Sequence, residues 1–177
     1  MTTAPNILNY HIGKGVVSFK VTGASVFRDL GNVPEFEWTP ALDKLEHYSS
    51  RTGVKSKDRT VVLSKAGTIR VVMDEWDVEN LALAMLGTIS QNTAGNNVIA
   101  IFASNSITGV LKYREANEVG PKYEWIFNNV SFIPSSSVSP ISEEFGQLEI
   151  TGDVLVDGNG DFGTIEELSE AETDVTA

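Results

Sequence analysis

The chain has 177 residues, 41% of them apolar and 21% charged, with no cysteine and a formal net charge of −11. That is enough for one globular domain with its own core, and it excludes a disulfide framework, a thiolate metal site and a cysteine nucleophile. No run approaches the roughly 20 apolar residues of a membrane helix, and residues 1–10 lack the basic and apolar regions of a secretory signal, so the sequence reads as a soluble chain made in a cytoplasm.

In chain order the dominant signal is an alternation of period two, in segments bounded by Gly, Asn, Ser and Pro, which predicts a mainly β protein. Residues 15–22 (GVVSFKVT) set Val17, Phe19 and Val21 on one face. In residues 35–48 (EFEWTPALDKLEHY), Phe36 and Trp38 point inward and Glu35 and Glu37 outward until Pro40, which has no N–H for a ladder and so predicts an edge, a bulge or a bend. Residues 58–63 and 68–73 read as a hairpin closed by the Gly-containing turn 64–67. A helical period occurs at about residues 75–86, where Val78, Leu81, Ala82, Met85 and Leu86 align on one face. Asp74 is its expected N-cap and Gly87 its expected left-handed C-terminal residue. Residues 88–97 read as a polar loop, and 98–103, 107–115 and 123–133 as strands. Within the last, Tyr123, Trp125 and Phe127 share one parity and Val130 and Phe132 the other, so a β-bulge is expected at Asn128 and Asn129. Residues 134–139 (PSSSVS) form a crossover, and 146–156 a final strand element. The expected division is a β domain over residues 1–165 and a flexible acidic tail over 166–177.

Apparent motifs mostly reduce to turns. Asp157, Asn159 and Asp161 occupy the first, third and fifth positions of a calcium-loop pattern, but Phe162 stands where glycine is required and Leu168 where the bidentate glutamate belongs. Gly13, Lys14 and Gly15 lack the spacing of a phosphate loop and precede a strand. Asn129, Val130 and Ser131 spell a glycosylation sequon that has no meaning without secretion. Neither His11 nor His47 has the context of a catalytic triad, so no cofactor, metal site or enzymatic activity is expected.

The charge is segregated. From Tyr123 onward there are 12 acidic residues and no Lys or Arg, whereas the first 122 residues carry 13 basic and 12 acidic groups. An acidic chain does not read as a nucleic-acid binder, because that binding is driven by counterion release on Lys and Arg. A basic stretch, the long loop at about residues 49–58 extended to Arg59, stands apart from this background with Arg51, Lys55, Lys57 and Arg59. Alone it is a solvated loop; beside an acidic C-terminal third it is a surface that could dock on a second copy, head to tail.

Residues 27–61, FRDLGNVPEFEWTPALDKLEHYSSRTGVKSKDRTV, together with DEWDVENLALAMLG and FNNVSFIPSSSVSPIS, resemble the major tail tube proteins of long-tailed, siphovirus-type bacteriophages. The resemblance covers most of residues 13–156 and implies a β-sandwich or barrel-like subunit with one short helix. It further implies hexameric rings stacked into a hollow tail tube, built in the host cytoplasm and carried in the virion. The implied partners are further copies of the chain, a tape-measure protein, the tail terminator and the tail-tip or hub proteins. Double-stranded DNA passes through without specific binding, and the subunit itself does not enter a membrane. On this resemblance Ser49, Arg51, Lys55, Lys57 and Arg59 contact neighbouring subunits. Since a conduit must not grip a polyanion, outward carboxylates, with Glu35, Glu37 and Asp43 as candidates, are expected to help line the lumen. The alternatives are a tube subunit of a related contractile injection or secretion system and a monomeric calcium-binding β-sandwich module.

Overall fold

The computed structural model describes residues 6–51, 53–134 and 137–169. A 3-10 turn, Ile7–Asn9, leads into β1 (Gly15–Val21), β2 (Arg28–Asp29), β3 (Glu35–Ser49) and β4 (Ser56–Met73). The helix α1 (Val78–Ala84) follows, then β5 (Thr88–Gln91), β6 (Asn97–Ala100), β7 (Ile107–Glu115), β8 (Tyr123–Pro134), β9 (Leu148–Val154) and β10 (Gly163–Glu167). The main sheet is antiparallel in the order β2-β1-β7-β8-β9-β4-β3, with β10 added to β8, while β5 and β6 pair separately. The chain is therefore mainly β with one short helix, as the alternation predicts.

The bulge in β8 organises the fold. Gly109 pairs with Val130 while Leu111 pairs with Phe127, so β8 carries one extra residue at Asn128 and Asn129. Phe127, Val130 and Phe132 are all buried as a result, which is what the parity change requires. The bulge also divides the far edge of β8: residues before it pair with β10 and residues after it with β9. The bent sheet folds over itself. Phe36 of β3 lies 5.0 Å from Tyr113 of β7, and Trp38 lies 5.1 Å from Phe127, although β9 and β4 separate β3 from β8 in the hydrogen-bonding order. Between the layers Val17, Phe19, Ile69, Val71, Leu111, Phe132, Leu148 and Ile150 form the core, with Phe19 and Phe132 edge to face at 5.0 Å.

Five local expectations are corrected. Residues 58–73 are not a hairpin but part of one 18-residue strand, β4, that runs through the expected turn at 64–67. The local Gly signal is overridden by pairing with β3, where Ala41 meets Ala66 and Pro40 meets Gly67. Gly67 serves close packing: a Cβ there would stand 1.9 Å from Cη2 of Trp38. Because β3 is the outermost strand, Pro40 sits at a sheet edge, one of the three placements its missing N–H permits. The expected long loop at 49–58 correspondingly shrinks to the tip between Ser49 and Ser56.

At α1 the N-cap is Asp77, whose carboxylate accepts the Asn80 amide, and not Asp74. Asp74 and Glu75 are engaged elsewhere, by the side-chain amide and the backbone N–H of Asn32. The left-handed residue at the helix end is Leu86, with φ 48°, and Gly87 is required instead because a Cβ would meet Ile99 at 2.5 Å. The expected polar loop at 88–97 is the hairpin β5–β6, whose turn is closed by the Asn92 side chain accepting the amides of Ala94 and Asn96. Of the expected acidic tail, Glu166 and Glu167 end β10, and residues 170–177 lie outside the described residues.

Candidate assembly surface

β4 pairs with β9 only over Thr68–Met73, whereas its pairing with β3 continues outward to Ser49 and Ser56. Residues 41–66 therefore leave the body as a two-stranded ribbon. From Thr39 to Ala66 every described residue is exposed except the half-buried Ser49. The ribbon is not merely polar. Leu42, Leu45, Tyr48, Val61, Val62 and Leu63 are all exposed, Leu45 to 59% and Leu63 to 58%. Leu45 pairs directly with Val61, and Leu63 is the extra residue of a bulge opposite Asp43 and Lys44. A two-stranded ribbon is marginal in water by itself, and contiguous exposed apolar side chains mark a surface meant to be covered.

The expected contact residues all lie on this ribbon: Ser49 ends β3, Arg51 and Lys55 stand at the tip, and Lys57 and Arg59 are on β4. They do not act alike. Lys57 donates to Glu46, which also accepts the Tyr48 hydroxyl at 2.7 Å, so this lysine is spent inside the hairpin. The Lys57 bond, then the Tyr48 bond, holds the Glu46 carboxyl below its ordinary value, and the same bonds raise Lys57 and Tyr48. His47 and Asp58 meet at 2.6 Å across the second bulge. Arg51, Lys55 and Arg59 form no ion pair among the described residues, which leaves the ribbon tip positive.

Glu35, Glu37 and Asp43 share one parity on β3, on the face opposite Phe36 and Trp38. Glu35 is not free on that face. Arg70 bridges it to Glu149 of β9, with nitrogen–oxygen distances of 2.5 and 2.7 Å. Glu37 stands opposite Arg70 in register, and Asp43 lies out on the ribbon opposite Ser64.

Two further clusters escaped the sequence reading. Glu115, buried at the end of β7, accepts the Tyr123 amide at 3.0 Å, the Trp125 indole at 3.2 Å and a contact from His11 at 3.1 Å. Its signal was its parity with Leu111 and Tyr113 on an otherwise apolar face. The apolar ribbon residues carried only the signal of an ordinary strand. Asp157 closes a turn: its carboxylate accepts the amides of Asp161 and Asn159 at 3.0 and 2.8 Å and the side chain of Asn128, bonds that hold its pKa below the ordinary carboxylate range. Among the described residues no group of three or more His, Cys, Asp or Glu is placed to hold a metal ion. No helix among them is long and apolar enough to cross a membrane.

Residues 10–111 match the model of the family described as "Protein of unknown function UCP028589". The chain belongs to that family. The matched stretch takes in β1 through β7 up to Leu111, including the whole ribbon and α1. No curated protein matches the chain. Among solved structures it is similar to a chain from the tail of an empty gene transfer agent (GTA) particle of C6 symmetry, at 9% identity and a TM-score of 0.47, covering 88% of this chain and 96% of that one. It is also similar to a chain from the virion of a native GTA particle, at 8% identity and a TM-score of 0.41, covering 94% of this chain and 100% of that one.

Proposed function

We propose that this protein is a structural subunit of a phage-like tail that polymerises as stacked hexameric rings into a hollow tube for double-stranded DNA. The observation that carries the reading is the ribbon of residues 41–66: it projects from a finished core with exposed apolar side chains and a positive tip, which suits a contact with another copy and not a lone particle. The sequence resemblance to tail tube proteins runs through the same segment. Self-association also answers the free edge of β3, since strands contributed by six copies to one closed barrel leave no open edge.

In this reading the subunit acts physically and not catalytically. Glu35 and Glu37 of β3, with Glu149 and Asp153 of β9 beyond β4 on the same face, give the lumen an acidic lining, while Arg70 is held between two carboxylates and grips no phosphate. Such a wall offers DNA no counterion release and lets it slide. The tape-measure protein, tail terminator and tail-tip or hub proteins are the remaining partners, and the virion is the destination.

Negative-stain microscopy of the purified protein is expected to show hollow cylinders of six-fold rings. Replacing Arg51, Lys55 and Arg59 by Glu is expected to leave a folded monomer that forms none, because like charges across an interface oppose association. Abundant normal cylinders from that triple variant would remove the ribbon's charge from the mechanism, and lone particles from the parent chain under all conditions would remove the tube.

A further inference from the structure

We propose that the surface receiving a neighbour's ribbon is the groove between β1 and the layer formed by α1 and the β5–β6 hairpin. This inference rests on the assembly reading above and adds where the contact is made.

The groove encloses about 450 Å³. Phe19, Ala82, Leu83 and Ile107 line it, with Val26 and Ile89 at its margin, and Val26 is 73% exposed. Its charged lining is Glu79 and Arg28, and Arg28 also meets Asp77, so two substantially exposed carboxylates at 3.4 and 3.6 Å stand against one guanidinium. The ribbon is complementary on both counts. Residues 41–66 carry Lys44, Arg51, Lys55, Lys57, Arg59 and Lys65 against Asp43, Glu46 and Asp58, and they expose the apolar cluster Leu45, Val61 and Leu63.

Other concave surfaces match less well. The cleft over Glu115 carries Lys14, which would repel a positive ribbon, and its carboxylate is buried and already engaged by Tyr123 and Trp125. The hollow at the ribbon's own base sets Lys65 against Asp153, the one beside β10 is lined without charge, and the one over Val72, at about 270 Å³, carries Glu144 and Glu149 but only Val72 and Phe145 as apolar wall. The exposed carboxylates of Glu166 and Glu167 would meet the ribbon's charge, but that short strand offers only Ile165 to cover Leu45 and Leu63. Apolar contact supplies most of the free energy of association and charge supplies partner choice and register, so the surface that offers both is the acceptor.

The absence of cysteine makes the test direct. Purified Leu45→Cys and Val26→Cys variants are mixed, assembled and treated with a short bismaleimide, and linked peptides are identified by mass spectrometry. A link between positions 45 and 26 of different copies, in assembled material only, is the expected result. Assembly of the mixture without that link would overturn the groove as acceptor and leave the assembly reading standing. Failure of the parent chain to assemble at all would overturn both. As a second measurement, Val26→Asp and Ile89→Asp, both exposed positions, are expected to keep the parent's circular dichroism and melting curve while losing assembly at least tenfold; normal assembly of these variants would also overturn the proposal.

Discussion

The body of the sheet and the ribbon that leaves it share two strands, β3 and β4, yet they obey different rules. Inside the body β4 has a partner on each side, and Ile69, Val71 and Met73 are completely buried. Beyond Gly67 and Pro40 the same strands continue with no third strand and no covering layer among the described residues, and Leu45, Val61 and Leu63 are left in water. The contrast teaches that strand pairing alone does not bury side chains. It takes a second layer, which the body finds within its own chain and the ribbon must find elsewhere.

Substitution can break this comparison from the body's side. Phe132→Ala removes a completely buried ring packed edge to face on Phe19, and is expected to cost about 3–5 kcal/mol in urea unfolding of the monomer. A cost near that of a surface change would mean the core is not where the unfolding transition is decided. Gly67→Ala acts at the junction itself. The new methyl group would fall on the Trp38 ring, which must shift against Phe127, and a loss of about 1–3 kcal/mol is expected. If Gly67→Ala proved neutral, the junction would be looser than the packing of Trp38 implies.

The smallest effect sharpens the comparison through pH. Hydrogen bonds from the Asp161 and Asn159 amides lower the pKa of Asp157 below its unfolded value, so folding is favoured by its ionised form. That contribution is complete above the unfolded value and is lost as the pH falls through the lowered folded one. Acid should therefore loosen the β9–β10 connection in the parent chain, read by hydrogen exchange of the Asn159 and Asp161 amides, and Asp157→Asn should show the looser connection already at neutral pH. Equal protection in the two proteins would show that the turn does not depend on the carboxylate.

Much of the body was legible in the sequence because its signals are local and periodic. The extent of β7 follows from its alternation, and the parity change between Phe127 and Val130 locates the bulge without reference to any partner strand. What escaped depends on partners distant in sequence. The residues around Gly67 carry the composition of a turn, and only pairing with Pro40 and packing of Trp38, more than 25 residues earlier, make them strand. Asp74 and Asp77 are equally good caps by type, and Asn32 decides between them by engaging Asp74. At the candidate site, parity put Glu35, Glu37 and Asp43 on one face, but the bridge from Glu35 through Arg70 to Glu149 joins three separate strands. The apolar ribbon residues were visible as strand formers; alternation cannot tell whether a layer lies over them.

The most direct measurement removes the ribbon and leaves the body. Replacing residues 42–65 by a short Gly-containing turn deletes Leu45, Val61, Leu63 and the basic tip while keeping Pro40, Gly67 and every core residue. The expected product is a monomer with native-like circular dichroism and cooperative unfolding that forms no cylinders in the electron microscope at any concentration. Hollow six-fold cylinders from the shortened chain, at the yield of the parent, would contradict that expectation.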